Sequence, residues 1–194
     1  MAFDSKKVEG VRLIIFVSGG ARSGKSSFAE KLALSLHNKN PSTRLVYLAT
    51  SQKSDKEMEW RIAMHQAQRG EEWMVEEVPV EVGRSITQAR KGDVILLDCL
   101  TIWLSNMLFD GIARKKEEVI TAVEEWVTLA RKKGLTLIIV SNDLNEEPSS
   151  RYKTVRSYVC MLELLHQHIV EQAEVAVQVR AGIPKYWKGR GVSL

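Results

Sequence analysis

The chain has 194 residues, 44% apolar and 27% charged, and its 28 Lys and Arg against 24 Asp and Glu leave a formal net charge of +4. That length supports one sizeable core, and the composition excludes disordered and membrane-embedded classes. The mildly basic balance suits an anionic small ligand but lacks the concentrated stripes of a nucleic-acid binder, so no nucleic-acid partner is expected.

Cys99 and Cys160 stand far apart and outside any CxxC spacing, which points away from a disulfide framework and toward a reducing cytoplasm. The opening MAFDSKKVEGVR is polar, and the apolar stretch Val94 to Leu104 is broken by Asp98. No membrane span is expected. Residues 1–194 read as a single domain.

Leu13 to Val17 is an unbroken apolar run, as expected of a strand buried on both faces of a parallel sheet. Lys25 to His37 follows as a helix carrying Phe28, Leu32 and Leu36 on one face. Leu45 to Ala49 predicts a second strand, Asp55 to Gln68 a helix, and Val94 to Leu97 a third buried strand ending at Asp98. A short helix is predicted over Thr101 to Leu108, and a long amphipathic one over Lys116 to Lys133, stopped by Gly134. Leu135 to Val140 predicts a strand, Arg151 to Glu171 a helix, and Val175 to Val179 the last central strand.

This alternation implies a three-layer α/β fold, a mostly parallel sheet with helices on both faces. The polar connection Ser141 to Ser150 should be an exposed loop at the strand ends. The basic clusters Arg114 to Lys116 and Arg131 to Lys133 read as solvated faces. Met58, Trp60, Met107 and Trp126 read as packing residues.

The chemistry concentrates between the first strand and first helix. Gly19, Gly20, Ala21, Arg22, Ser23, Gly24, Lys25 and Ser26 satisfy G-x-x-x-x-G-K-[ST], the phosphate-cradling P-loop. Glycines let successive N–H groups turn inward, and the helix start adds partial positive charge where phosphate oxygens sit. Lys25 can reach the β- and γ-phosphates of ATP or GTP, and the Ser26 hydroxyl can bind Mg²⁺. Asp98, ending the strand VILLD, is a second candidate for Mg²⁺.

Four blocks carry a family likeness: SGGARSGKS from Ser18, YLATSQ from Tyr47, EMEWRIAMHQAQR from Glu57 with WMVEE following, and LLDCLTIWLSNML from Leu96. In order and spacing they resemble the bifunctional adenosylcobinamide kinase / adenosylcobinamide-phosphate guanylyltransferase family of cobalamin biosynthesis. The resemblance implies phosphorylation of a corrinoid hydroxyl from ATP or GTP, then attachment of GMP to that phosphate through a guanylyl-histidine. It places the nucleophile at His65, with Lys25 and Asp98 as further catalytic residues.

The resemblance also implies guanine-nucleotide contacts at Thr50, Ser51, Gln52, Gln66, Ala67, Gln68, Arg69, Glu77 and Asp98, and a small homo-oligomer. On a helix Arg61, His65 and Arg69 share a face, so two guanidinium groups could hold phosphate oxygens beside a neutral imidazole.

The chain departs from the family pattern after Val140. Asn142, Asp143, Leu144, Asn145, Glu146, Glu147 and Pro148 stand where Asn-Glu-Val-Gly and Val-Pro-Glu are usual, with Asp143 keeping a carboxylate on a shorter arm. Downstream, His166 and Gln167 replace Asn-Gln, and His168 stands where Arg is common. With Cys160 these histidines match no standard metal spacing and read as a polar helix face. The alternatives are a P-loop kinase of another small molecule without the guanylyl step, or a nucleotide-dependent regulatory ATPase.

Overall fold

The computed structural model describes residues 13–51, 72–112, 114–144 and 151–189. Seven strands form one sheet in the order β3-β2-β4-β5-β1-β6-β7. They are β1 (Ile14–Gly19), β2 (Leu45–Ala49), β3 (Trp73–Glu77), β4 (Val94–Asp98), β5 (Thr136–Asn142), β6 (Val175–Arg180) and β7 (Ile183–Lys188). All pairings are parallel except β6 with β7. The described helices are α1 (Lys25–Asn38), α2 (Val82–Gln88), α3 (Leu100–Phe109), α4 (Lys116–Lys133) and α5 (Lys153–Gln172).

The unbroken apolar runs follow from burial on both faces of the sheet. Ile14 and Phe16 of β1 point into a layer built with α2, α3, α4 and α5. Ile15 and Val17 point into the opposite layer, under α1. A strand so enclosed has no solvent side, so it shows no alternation. In the first layer Trp103 and Trp126 meet edge to face at 4.4 Å, and the Trp103 indole N–H donates to the Val80 carbonyl at 2.9 Å. Met107 and Trp126 are core residues, as read from the sequence, and Gly134 does end α4.

Several readings change. Val175–Val179 is the last central strand, within β6, and β7 adds an antiparallel edge beyond it that the sequence did not suggest, through the two-residue turn Ala181–Gly182. Both turn residues have positive φ, 48° and 78°, the left-handed geometry that matches the twist of a tight hairpin. β3 and α2 were not foreseen, since WMVEE shows no alternation and VGRSITQ is short. Ser141, read as exposed loop, is fully buried, because β5 runs on to Asn142. The helix expected over Asp55 to Gln68 lies outside the described residues.

The basic clusters are not simply solvated. Arg114 donates to the Met107 carbonyl at 2.7 Å and pairs with Asp110 at 2.7 Å, while Arg131 pairs with Glu174 at 2.8 Å. The Asp110 carboxyl is held below its usual range, first by the Ile112 N–H and then by Arg114.

Candidate phosphate-binding site

The loop Gly19–Lys25 joins the end of β1 to the start of α1, at the carboxyl edge of the sheet where α/β proteins place ligands. Side chains are excluded at its entry. A Cβ on Gly19 would stand 2.5 Å from the Val179 carbonyl and 2.6 Å from the Ser23 hydroxyl. The turn of the β6–β7 hairpin packs against the same loop, with the Gly182 N–H donating to the Ser23 carbonyl at 2.8 Å. Gly24, at φ 88°, begins α1, and a Cβ there would come within 3.3 Å of Gly182 Cα.

Lys25 is buried, and its Nζ donates to the Gly20 carbonyl at 3.2 Å. The ammonium is therefore folded over the loop, at the positive end of α1. Ser26 is half-buried in the first turn beside it, and Arg22 is exposed with φ 58°.

Asp98 ends β4, which is separated from β1 by β5. The Tyr47 hydroxyl donates to its carboxylate at 2.8 Å, fixing its direction. The peptide bond that follows, Asp98–Cys99, is cis. Thr50 is fully buried, and its hydroxyl accepts from the Cys99 N–H at 2.8 Å and donates to the Cys99 carbonyl at 2.9 Å. These bonds tie the end of β2 to the end of β4, leaving Ser51 half-buried at the margin.

The Asn106 amide clamps the same corner through the Thr50 carbonyl at 2.8 Å and the Pro79 carbonyl at 2.9 Å. Ala49 is in register with both Glu77 and Asp98. Glu77, Thr50, Ser51 and Asp98 therefore share one edge of the sheet. His65, Gln52, Gln66, Ala67, Gln68 and Arg69 lie outside the described residues.

Asp143, legible in the sequence only as a retained carboxylate, braces the loop from the tip of β5. The Asp143 N–H donates to the Gly19 carbonyl at 3.0 Å. Its carboxylate accepts from Gln178 at 2.8 Å and from Ser18 at 3.3 Å. One carboxylate thus joins β5, β1 and β6 just below the loop. The available signal was Gln178, a polar residue inside the otherwise apolar VAVQV.

His166, read as part of a polar helix face, is 8% exposed and packs inward from α5. Its Nε2 lies 2.7 Å from the Ser141 hydroxyl, and its ring is tilted against Phe16 with centroids 5.0 Å apart. Burial lowers its pKa from 6.5 to about 4, outweighing the opposing pull of Asp143. The unfolded chain therefore binds the extra proton first. Stability is unaffected above pH 6.5 and falls as pH drops from 6.5 toward 4, by on the order of 3 kcal/mol. His166→Asn should remove this acid sensitivity, which urea titrations between pH 7 and 4 would read as a flatter stability profile than the wild type's.

The cradle, the buried lysine and the strand order define a P-loop NTPase fold. Two solved structures share it: flagellar accessory protein FlaH from Methanocaldococcus jannaschii, with TM-score 0.53 and 13% identity over 92% of this chain and 79% of that one, and a KaiC-like protein from Pyrococcus horikoshii, with TM-score 0.53 and 10% identity over 92% and 80%. Residues 15–186 match the family described as cobinamide kinase / cobinamide phosphate guanyltransferase, and the chain belongs to that family.

Among its relatives are the bifunctional adenosylcobalamin biosynthesis proteins CobP of Pseudomonas aeruginosa and CobU of Escherichia coli. The first is 35% identical over 174 residues, 89% of this chain and 96% of that one. The second is 28% identical over 182 residues, 88% and 97%.

Proposed function

We propose that this chain transfers a phosphoryl group from ATP or GTP to the hydroxyl of adenosylcobinamide, then transfers GMP from GTP to that phosphate, working in the cytoplasm as a small homo-oligomer. The observation that carries the reading is the lysine-capped cradle at Gly19–Ser26 in a chain matched by the family from residue 15 to 186.

In the first reaction the acceptor oxygen forms a bond to the γ-phosphorus as the bond from that phosphorus to the β–γ bridging oxygen breaks, releasing the nucleoside diphosphate and the hydroxyl proton. The loop amides and Lys25 hold the polyphosphate and take up the charge that develops on the departing oxygens.

In the second reaction the lone pair of His65 attacks the α-phosphorus of GTP. A P–N bond forms and pyrophosphate leaves. An oxygen of the corrinoid phosphate then displaces the imidazole, giving adenosyl-GDP-cobinamide. Thr50, Ser51, Gln52, Gln66–Arg69 and Glu77 serve as guanine-nucleotide contacts.

Mg²⁺ fits the donors present, because Ser26 offers a hydroxyl and Asp98 a carboxylate aimed by Tyr47, the hard oxygens this ion prefers. Ser26 and Asp98 would hold it, and when bound it supplies charge neutralisation between the phosphates.

The test is incubation of the purified chain with α-labelled GTP and Mg²⁺, and separately with adenosylcobinamide and ATP. The protein should take up label that survives base and is lost in acid, the behaviour of a phosphoramidate, and the corrinoid should gain one phosphate. Phosphorylation without protein label would identify a kinase alone. Failure of both reactions overturns the reading.

A further inference from the structure

Behind the phosphate loop, a chain of hydrogen bonds runs from α5 to the tip of β5, and its direction follows from the strength of the acceptors at its two ends. The Asn142 N–H donates to Thr101 Oγ at 2.8 Å, so this oxygen accepts there. Thr101 Oγ lies 3.0 Å from Ser141 Oγ, which lies 2.7 Å from His166 Nε2. If Thr101 donates to Ser141, the Ser141 proton is left for His166, and the imidazole must accept through a bare Nε2 and carry its own proton on Nδ1. That nitrogen faces the Glu163 carboxylate 3.6 Å away. In this direction every hydroxyl proton has an acceptor. In the reverse direction, with Nε2 as donor, Ser141 would donate to Thr101 Oγ and the Thr101 proton would be left to the Cys99 sulfur beside it, a much weaker acceptor than an imidazole nitrogen.

We infer that His166 is a positioning residue for the transfer reactions. As the terminal acceptor of the relay Thr101–Ser141–His166, it fixes the Asn142–Asp143 tip of β5, which in turn holds the phosphate loop. The mechanical link is short. Asn142 is in register with Gly19, the Asp143 N–H holds the Gly19 carbonyl, and the Tyr158 hydroxyl steadies Thr101 from α5 by donating to its carbonyl at 2.6 Å. Ser141 and His166 are both buried, so removing the acceptor leaves a hydroxyl proton without water to take it. The relay relaxes, and the loop it braces moves with it. This inference rests on the phosphate loop being the reaction centre proposed above.

Nothing in the family pattern requires a histidine for this job. Asn, the residue usual at this position, can accept from Ser141 through its amide oxygen, whereas Leu fills a similar volume and accepts nothing. His166→Leu should therefore lower kcat for phosphoryl and guanylyl transfer by roughly 10–100-fold, the range expected when a reacting group is slightly misplaced. KM for the nucleotide should change far less, and His166→Asn should recover most of the loss. Both variants should be assayed well below their melting temperatures, so that a merely stabilising role would leave kcat unmoved.

Nitrogen-15 NMR of the wild-type imidazoles, with His166 assigned by its absence from His166→Asn, should show a protonated Nδ1 and an unprotonated, hydrogen-bonded Nε2. Unchanged kcat in His166→Leu, or failure of Asn to restore it, overturns the positioning role. A ring protonated on Nε2 overturns the relay whatever the substrate proves to be. Wild-type protein that turns over no corrinoid sinks the proposed function instead. Amide hydrogen exchange over Gly19–Ser26 then decides the bracing role, which predicts faster exchange in His166→Leu than in His166→Asn and is overturned by equal rates.

Discussion

Lys25→Ala is expected to lower both phosphoryl and guanylyl transfer by about 10²–10³-fold with the fold intact. Lys25 is buried in the first turn of α1, and its hydrogen bond is to the Gly20 carbonyl within the loop itself. No other described element depends on that bond. Removing the ammonium takes away a fixed positive charge where charge accumulates as the leaving group departs, and water cannot supply an equally preorganised donor. The loss should fall mainly on kcat, since the loop amides still bind ground-state phosphate. Steady-state rates alongside a thermal melt check this, and turnover within threefold of wild type would contradict it.

His65→Ala should abolish the base-stable, acid-labile GMP label entirely while phosphorylation of adenosylcobinamide continues within a few-fold. The two reactions part here because only the second needs a nucleophile from the protein, and alanine offers no lone pair. The γ-phosphoryl reaction needs positioning and charge stabilisation, the role proposed for the phosphate loop. Labelling of the variant equal to wild type would remove His65 from the chemistry. A parallel collapse of phosphorylation would mean that this segment also shapes the kinase site.

The phosphate loop was legible because its chemistry is local. Gly19 to Ser26 must follow one another to make a cradle at a helix start, so spacing alone reveals it, and Asp98 was legible as the polar end of an apolar strand. The sheet core was legible for a related reason, since Leu13–Val17 and Val94–Leu97 had to be enclosed on both faces.

The Asp143 junction and the His166 relay were not legible. Each is assembled from residues remote in sequence: Ser18 and Asp143 are 125 positions apart, and Thr101 and Ser141 are 40 apart. His166 misled because the flanking Gln167 and His168 are polar, and periodicity cannot tell a buried polar residue with a partner from an exposed one. The β3 edge and β7 escaped because edge strands carry little apolar pattern: Met74 and Val75 are partly exposed on one edge, and Ile183 and Trp187 largely exposed on the other.

The place of β1 between β5 and β6 also sets when the molecule can be completed during synthesis. Its N–H at Ile14 bonds the Glu174 carboxylate 160 positions away, and its strand partners begin at Leu137 and Val175. A parallel strand has no adjacent hairpin to shelter it, and translation delivers the amino-terminal side first. β1 therefore leaves the ribosome long before either neighbour exists, has no strand partner until β5 has been translated, and keeps one side open until β6 follows. The cradle is braced only later still, because the Gly182 N–H that holds the Ser23 carbonyl follows β6 in the chain.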